Sequence, residues 1–159
     1  MSHTINIFIV RHGHSDFGAA IDFDRKLTHE GIQAVRNTAE FINDTCKKLS
    51  ISVDVCISSA AKRTQQTAEI LCRINSIANV RFYQELYSTV ASVWIDKISN
   101  EQAQTLLIVG HNPTFSQLVN VLCGYEAYMK PASCAFIALE IMPGGIIYPA
   151  QLNEFYTNE

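Results

Sequence analysis

The sequence predicts an α/β layered domain. Short apolar, β-branched runs alternate along the chain with segments of helical periodicity, and this alternation is typical of helices packed on a sheet. The length of 159 residues and the 48% hydrophobic content favour a single domain, residues 1–159, with a substantial core. A disordered chain is excluded, because only 17% of the residues are charged.

Four apolar runs and a hairpin account for the predicted strands. The first run stops abruptly at Arg11, and the fourth is apolar throughout, which indicates a central strand. The last two runs flank Pro143-Gly144-Gly145, a typical hairpin connection. The predicted strands span residues 5–10, 53–57, 80–83, 105–109, 134–141 and 146–152.

The helices follow from periodicity and capping. After Thr28, a typical N-cap, apolar residues recur with gaps of three and four up to Leu49, which places them on one helix face. Ser59 is the expected cap of the second helix, and Pro113 suits the first turn of the fourth. The predicted helices span residues 28–49, 60–74, 88–98 and 113–124.

Charge and cysteine usage exclude several classes of protein. The formal net charge is −3 and no basic run exceeds two residues, which argues against a nucleic-acid binder. The apolar stretch at residues 7–10 is too short to cross a bilayer and lacks the features of a signal peptide, so we expect no membrane contact. Five cysteines without a CxxC pair suit reduced thiols in a cytoplasmic protein. The oligomeric state is not indicated.

Two arginines and two histidines follow the predicted strands. Arg11 and His12 follow the first strand, Arg63 follows the second, and His111 follows the fourth. In open α/β sheets, ligands bind outside the carboxyl ends of the strands. The arginine side chain matches phosphate oxygens, and a neutral imidazole is a competent nucleophile. The sequence therefore predicts a phosphoryl pocket with a histidine nucleophile.

Three motifs resemble the signature of the histidine phosphatase superfamily, also called phosphoglycerate-mutase-like. Residues 11–15 (RHGHS) resemble RHGxS, residues 58–68 (SSAAKRTQQTA) resemble SSxxxRTxQTA, and residues 109–113 spell VGHNP. The small size and the third motif are similar to the SixA-type branch of phosphohistidine phosphatases. The resemblance implies a three-layer α/β/α sandwich with a mixed, mainly parallel sheet, and neither an organic cofactor nor a metal.

The resemblance also implies a role for each motif residue. His12 would accept the phosphoryl group, while Arg11, Arg63 and His111 would bind it and stabilise the charge of the transition state. Glu85 follows the third strand, where mutases and sugar phosphatases of the superfamily carry a general acid, so it is a candidate acid.

Further candidates surround this set. The resemblance makes Arg25 and Ser15 candidates for substrate binding. Trp94, Tyr87 and Phe17 can line the pocket mouth, although amphipathic packing is the usual role of such side chains. His12 and His14 also have the HxH spacing of a metal pair, although no cluster elsewhere in the sequence completes such a site.

The sequence therefore predicts a hydrolase, a metal-independent phosphatase that acts on phosphohistidine in a phosphotransfer protein of signal transduction. The main alternative is a phosphomonoesterase for small molecules on the same catalytic core, with Glu85 as the acid. A phosphoprotein-binding module without catalysis is a third possibility. The short segment between Glu85 and His111 leaves little room for a lid, which favours an open pocket.

Overall fold

A computed structural model describes residues 1–158. Six strands and four helices alternate up to the final hairpin, and short 3-10 turns at Asp22–Asp24 and Gln84–Leu86 lie in two of the loops. In chain order the elements are β1 (His3–Arg11), α1 (His29–Leu49), β2 (Val55–Ser59), α2 (Lys62–Ile74), β3 (Val80–Tyr83), α3 (Ala91–Ser99), β4 (Thr105–Gly110), α4 (Thr114–Cys123), β5 (Cys134–Met142) and β6 (Gly145–Tyr156).

The six strands form one mixed sheet in the order β3-β2-β4-β1-β5-β6. The first four strands along the chain run parallel to one another, whereas β5 pairs antiparallel with both β1 and β6. β4 is central, as predicted, and each of its residues is buried. This order sets the carboxyl ends of β1, β4 and β2 side by side.

Alternating side chains of the strands face two separate cores. On β1, Ile7 and Ile9 belong to a cluster that includes Trp94 of α3, whereas Phe8 and Val10 belong to a cluster that includes Val35 of α1. This period of two is the pattern of a sheet covered on both faces. The predicted three-layer α/β/α fold is thus confirmed.

Element boundaries differ from the prediction near the second motif. β2 continues through Ser59, and α2 begins at Lys62 with Ala61 as an N-cap that makes no side-chain bond. The predicted capping role of Ser59 is therefore wrong, since this residue ends the strand. The Thr28 cap is confirmed, because its hydroxyl accepts a hydrogen bond of 3.0 Å from the backbone N–H of Gly31.

No helix within residues 1–158 has the length and apolar character that crossing a bilayer requires.

Candidate active site

Three neighbouring strand ends carry the candidate site. β1 ends at Arg11, β4 at Gly110 and β2 at Ser59, and adjacent strands of a sheet lie about 4.8 Å apart. The backbone N–H of His12 donates to the carbonyl of Gly110 over 3.1 Å. This bond joins the first motif directly to the third. The long side chain of Arg63, from the first turn of α2, then reaches across to the same place.

The hydrogen bonds of His12 determine which of its ring nitrogens can react. Nδ1 lies 2.7 Å from the carbonyl oxygen of Gly13, and because that oxygen only accepts, Nδ1 carries the proton. The lone pair of Nε2 is then free to accept from Nε of Arg63 over 3.3 Å. Burial lowers the pKa of His12 to about 3, so the ring is neutral at physiological pH. Nε2 is therefore the nucleophilic atom that this arrangement offers.

Arg63 is held in place from two directions. At its outer end, Nη1 donates to the backbone carbonyl of Asp22 over 2.9 Å, and Nη2 donates to the carboxylate of Asp22 over 3.1 Å. At its base, the Thr67 hydroxyl donates to the carbonyl of Arg63 and accepts from the N–H of Gly13 over 3.1 Å. The second motif thereby fixes the loop of the first.

Gly13 is required by close packing in this loop. A Cβ atom at this position would lie 2.7 Å from Cγ2 of Val35 and 2.9 Å from the carbonyl oxygen of Gly31. Both atoms belong to α1, so a larger residue would push the loop that carries His12 away from that helix.

Arg11 is oriented by the loop between α4 and β5. Its Nη1 donates to the hydroxyl of Tyr128 over 3.1 Å and to the carbonyl of Met129 over 3.0 Å. Nδ2 of Asn112, in the third motif, donates to the same carbonyl. The buried Nε of Arg11 has no hydrogen-bond partner among the described protein atoms. It remains an available donor.

His111 is held by Ser59, the last residue of β2. Its Nε2 lies 2.8 Å from the Ser59 hydroxyl, which also accepts from the N–H of Ala61 over 3.3 Å. Because this hydroxyl already accepts from Ala61, its O–H is free to donate to Nε2, and the proton of His111 then lies on Nδ1. Burial, followed by the charge of Arg63, lowers the pKa of His111 to about 4. The ring is therefore neutral and presents one N–H donor.

The unsatisfied nitrogens of the described residues indicate an anion site. Within residues 1–158, the buried side-chain nitrogens without a partner are Nε of Arg11 and Nδ1 of His111. Buried polar groups are nearly always hydrogen-bonded, so two donors left over in one place favour a ligand with acceptor oxygens. The rings of His12 and His111 lie 5.4 Å apart between their centroids. A phosphoryl group suits both the charge and the spacing.

Arg25 and Ser15 bond to each other near this set. Arg25 donates through Nη2 to the hydroxyl of Ser15 over 2.8 Å, through Nε to the carbonyl of Asp16, and through Nη1 to the carboxylate of Asp22. The guanidinium of Arg25 also stacks on the exposed ring of Phe17, with 4.0 Å between the guanidinium carbon and the ring centroid. In these contacts the two predicted binding residues stabilise the loop between β1 and α1.

Among the described residues, Glu85 forms no hydrogen bond or ion pair with the other four catalytic candidates. The 3-10 turn at Gln84–Leu86 buries Leu86 and turns Glu85 to the surface, where its side chain is 62% exposed. Its carboxylate lies 3.7 Å from Nζ of Lys97. Tyr87, two residues later, does reach the site, with its ring 5.5 Å from that of His111.

Asp22 is the residue that sequence reasoning missed. It bonds Arg63, Arg25 and Tyr87, and the hydroxyl of Tyr87 donates to its carboxylate. The signal available in the sequence was the spacing of Asp22 and Arg25, three residues apart, which favours a local ion pair. That spacing does not reveal the contact with Arg63.

The histidine pair of the first motif points to different partners. His14 Nδ1 lies 3.2 Å from the hydroxyl of Thr28, whereas His12 faces Arg63. In the described part of the chain, no three His, Cys, Asp or Glu side chains are grouped closely enough to hold a metal ion.

Sequence comparison identifies the family. Residues 7–86 match the Histidine phosphatase superfamily (branch 1), and the chain belongs to this superfamily. It is 27% identical to the phosphohistidine phosphatase SixA of Escherichia coli over 128 residues, which cover 77% of this chain and 76% of that protein. It is 34% identical over 76 residues to phosphoglycerate mutase 2 of Saccharomyces cerevisiae, but these cover 45% of this chain and only 24% of the mutase.

Solved structures share the fold. A SixA-type protein of Agrobacterium tumefaciens superposes with a TM-score of 0.82 at 20% identity, over 98% of this chain and 99% of that one. The protein histidine phosphatase SixA complexed with tungstate superposes with a TM-score of 0.78 at 22% identity, over 96% and 97% of the two chains. The expected relation to the SixA-type histidine phosphatases is confirmed, and with it the class of enzyme, a phosphatase.

Proposed function

We propose that this phosphatase removes the phosphoryl group from phosphohistidine on a signalling phosphotransfer protein, with His12 as the nucleophile. The observation that carries the proposal is the convergence of His12, Arg11, Arg63 and His111 at three neighbouring strand ends, with Nε2 of His12 unprotonated. The similarity to SixA of Escherichia coli supports the choice of substrate. The five free cysteines within residues 1–158 support a cytoplasmic location, which is part of the proposal.

In the first step, the lone pair of His12 Nε2 forms a bond to phosphorus. The bond between phosphorus and the substrate nitrogen breaks, and its electron pair goes to the departing imidazole. Arg11, Arg63 and the N–H of His111 stabilise the phosphoryl oxygens, which carry the charge of the transition state. The carbonyl of Gly13 stabilises the cationic character that His12 gains, because it accepts from Nδ1.

In the second step, water attacks the phosphohistidine formed on the enzyme. A bond forms between the water oxygen and phosphorus, the bond from phosphorus to Nε2 breaks, and its electron pair returns to His12. The product is inorganic phosphate, and the water proton leaves with the phosphate or passes to solvent. The same donors stabilise both steps, because both pass through a similar transition state.

The rival function is hydrolysis of small phosphate monoesters, which needs an acid to protonate the leaving oxygen. The exposed position of Glu85 and its pairing with Lys97 favour phosphohistidine over this rival. Phosphohistidine does not need such an acid when the distal nitrogen of its ring already carries a proton, because the imidazole then departs as a neutral ring.

The test compares wild-type protein with His12→Ala and with His14→Ala, a matched control two residues away on the same loop. Phosphate release is measured from a phosphohistidine-bearing phosphotransfer protein and from sugar and nucleotide monophosphates. The enzyme is also quenched during turnover of the 32P-labelled phosphoprotein and examined for acid-labile phosphohistidine. We expect His12→Ala to lose both turnover and the label, while His14→Ala keeps both.

Turnover by His12→Ala at the wild-type rate would contradict the proposed nucleophile. A preference of the wild type for a sugar phosphate would instead move the function to the rival.

A further inference from the structure

The carboxylate of Asp22 lies on the solvent side of the site. It bonds the outer Nη2 of Arg63 over 3.1 Å, whereas Nε of the same guanidinium faces His12. The side chain of Asp22 is 51% exposed, and His12 is only 7% exposed. Asp22 therefore lies nearer to solvent than His12, on the outer side of the Arg63 guanidinium.

Three partners fix Asp22 in its charged form. The hydroxyl of Tyr87 donates to Oδ2, and Arg25 and Arg63 donate to the two carboxylate oxygens. The bond from Tyr87, followed by the one from Arg25, holds the pKa of Asp22 well below its usual range. Asp22 is consequently an anion at any pH near neutrality, and it cannot act as a proton donor.

The direction of attack places the leaving group on the same side as Asp22. In an in-line displacement the attacking and departing atoms lie on opposite sides of phosphorus. Because His12 lies at the buried end of the site, the departing atom must face outward. An anion there destabilises an alkoxide that gains negative charge, and it stabilises a ring that carries a proton.

We propose that Asp22 is a specificity-determining residue that selects a protonated imidazole as the leaving group and disfavours oxygen leaving groups. This inference rests on the proposed function and assigns its substrate preference to one side chain. The carboxylate accepts a hydrogen bond from the distal N–H of the phosphoimidazole ring and so increases the fraction of bound substrate that is protonated. When the phosphorus–nitrogen bond breaks, its electron pair neutralises the ring, which departs as neutral imidazole with the distal proton in place.

The test pairs two substrates of similar size with two matched variants. N-Phosphoimidazole carries the nitrogen leaving group, and phenyl phosphate carries an oxygen leaving group on a ring. Asp22→Asn removes the charge with little change of shape, while Asp24→Asn removes an exposed carboxylate two residues along the same 3-10 turn. We expect Asp22→Asn to lose about 10- to 100-fold in kcat/KM on N-phosphoimidazole, as for one hydrogen bond to a charged group. Its kcat/KM on phenyl phosphate should hold or rise, and Asp24→Asn should match wild type on both.

A pH profile separates this role from a structural one. In wild type the alkaline limit of N-phosphoimidazole turnover should lie at higher pH than in Asp22→Asn, because the carboxylate favours the protonated ring. The other groups facing Asp22, namely Arg25, Arg63 and Tyr87, are unchanged in the variant. Tyr87→Phe removes one bond to Asp22 but keeps its charge, so this variant should retain the preference for N-phosphoimidazole.

An equal loss on both substrates, or identical pH profiles, would overturn the inference while leaving the proposed function intact. In that case the phosphohistidine label on His12 would still form. A wild-type enzyme that hydrolyses phenyl phosphate but neither N-phosphoimidazole nor the phosphoprotein would overturn both proposals. Circular dichroism and the unfolding midpoint of each variant show whether its fold is retained.

Discussion

The floor and the rim of the site are built in different ways. The floor consists of Arg11, His12, Arg63 and His111, which are held by strand ends and by the first turn of α2. The rim consists of Asp22, Arg25, Tyr87 and Tyr128, which lie on the loops around that floor. Floor residues contact backbone carbonyls and one another, whereas rim residues mainly hold the outer ends of the floor arginines.

This difference separates two tasks of the enzyme. In the proposed mechanism each floor residue acts on the phosphoryl group, which all candidate substrates share. In the same proposal the rim lies beside the departing group, which differs between substrates. Floor variants should therefore lower activity on all substrates together, and rim variants should change the ratio between substrates.

The largest effect that tests this comparison is expected at Arg63. Arg63→Gln removes the positive charge that faces His12, and we expect kcat/KM to fall about 10²- to 10³-fold, the typical cost of losing one transition-state donor. The fall should be similar on N-phosphoimidazole and phenyl phosphate, because the phosphoryl oxygens are common to both. Lys62→Gln is the matched control, since Lys62 is the exposed neighbour at the start of α2. A fall confined to one substrate would mean that Arg63 acts on the leaving group.

Floor and rim also differ in how far the sequence predicts them. The floor is predictable because the carboxyl ends of parallel neighbouring strands must meet, so three motifs at three strand ends converge without any knowledge of the loops. The rim depends on the paths of three loops, and the one over residues 12–28, which carries Asp22 and Arg25, has no periodic pattern. Only the folded chain shows that Asp22 meets Arg63 and Tyr87, residues far along the sequence.

Glu85 and Ser59 show what motif position alone does not determine. Glu85 follows the third strand as expected, but the next residues form a 3-10 turn in which Leu86 is buried, and this turns the carboxylate outward. Ser59 precedes a helix in the sequence, yet β2 ends two residues later than its apolar run predicts. The hydroxyl of Ser59 consequently bonds His111 instead of capping α2. Local patterns do not resolve such shifts of one or two residues.

The next effect is the pH dependence of stability, and it comes from the two histidines of the floor. The pKa values of His12, about 3, and His111, about 4, lie below the 6.5 of an unfolded chain. At a pH between the folded and the unfolded pKa values, each of these two histidines is protonated in the unfolded chain and neutral in the folded one. The contribution of the two neutral rings to the free energy of unfolding is therefore fully present above about pH 6.5. It is lost as the pH falls, by up to about 1.4 kcal/mol per pH unit for each histidine.

This dependence can be measured by urea unfolding between pH 4.5 and 7.5. We expect the free energy of unfolding to decline less steeply below pH 6.5 in His12→Asn and in His111→Asn than in wild type. His14→Asn, on the exposed side of the same loop, is the control and should follow the wild-type curve. Parallel curves for wild type and both floor variants would show that the two rings titrate normally in the folded protein.

The smallest effect is expected at Glu85, whose side chain is 62% exposed. Its exposed contact with Lys97, at 3.7 Å, belongs to the class of surface ion pairs worth about 0–1 kcal/mol. Glu85→Gln should therefore change kcat/KM by less than about twofold on N-phosphoimidazole and on phenyl phosphate, as expected for a surface substitution. The sharper comparison is with Asp22→Asn, which removes the same charge from a position beside the leaving group. If Glu85→Gln abolished phenyl phosphate hydrolysis and removed the alkaline limb of its pH profile, Glu85 would have to swing inward during turnover. The enzyme would then protonate oxygen leaving groups, and the rim would include this carboxylate as its acid.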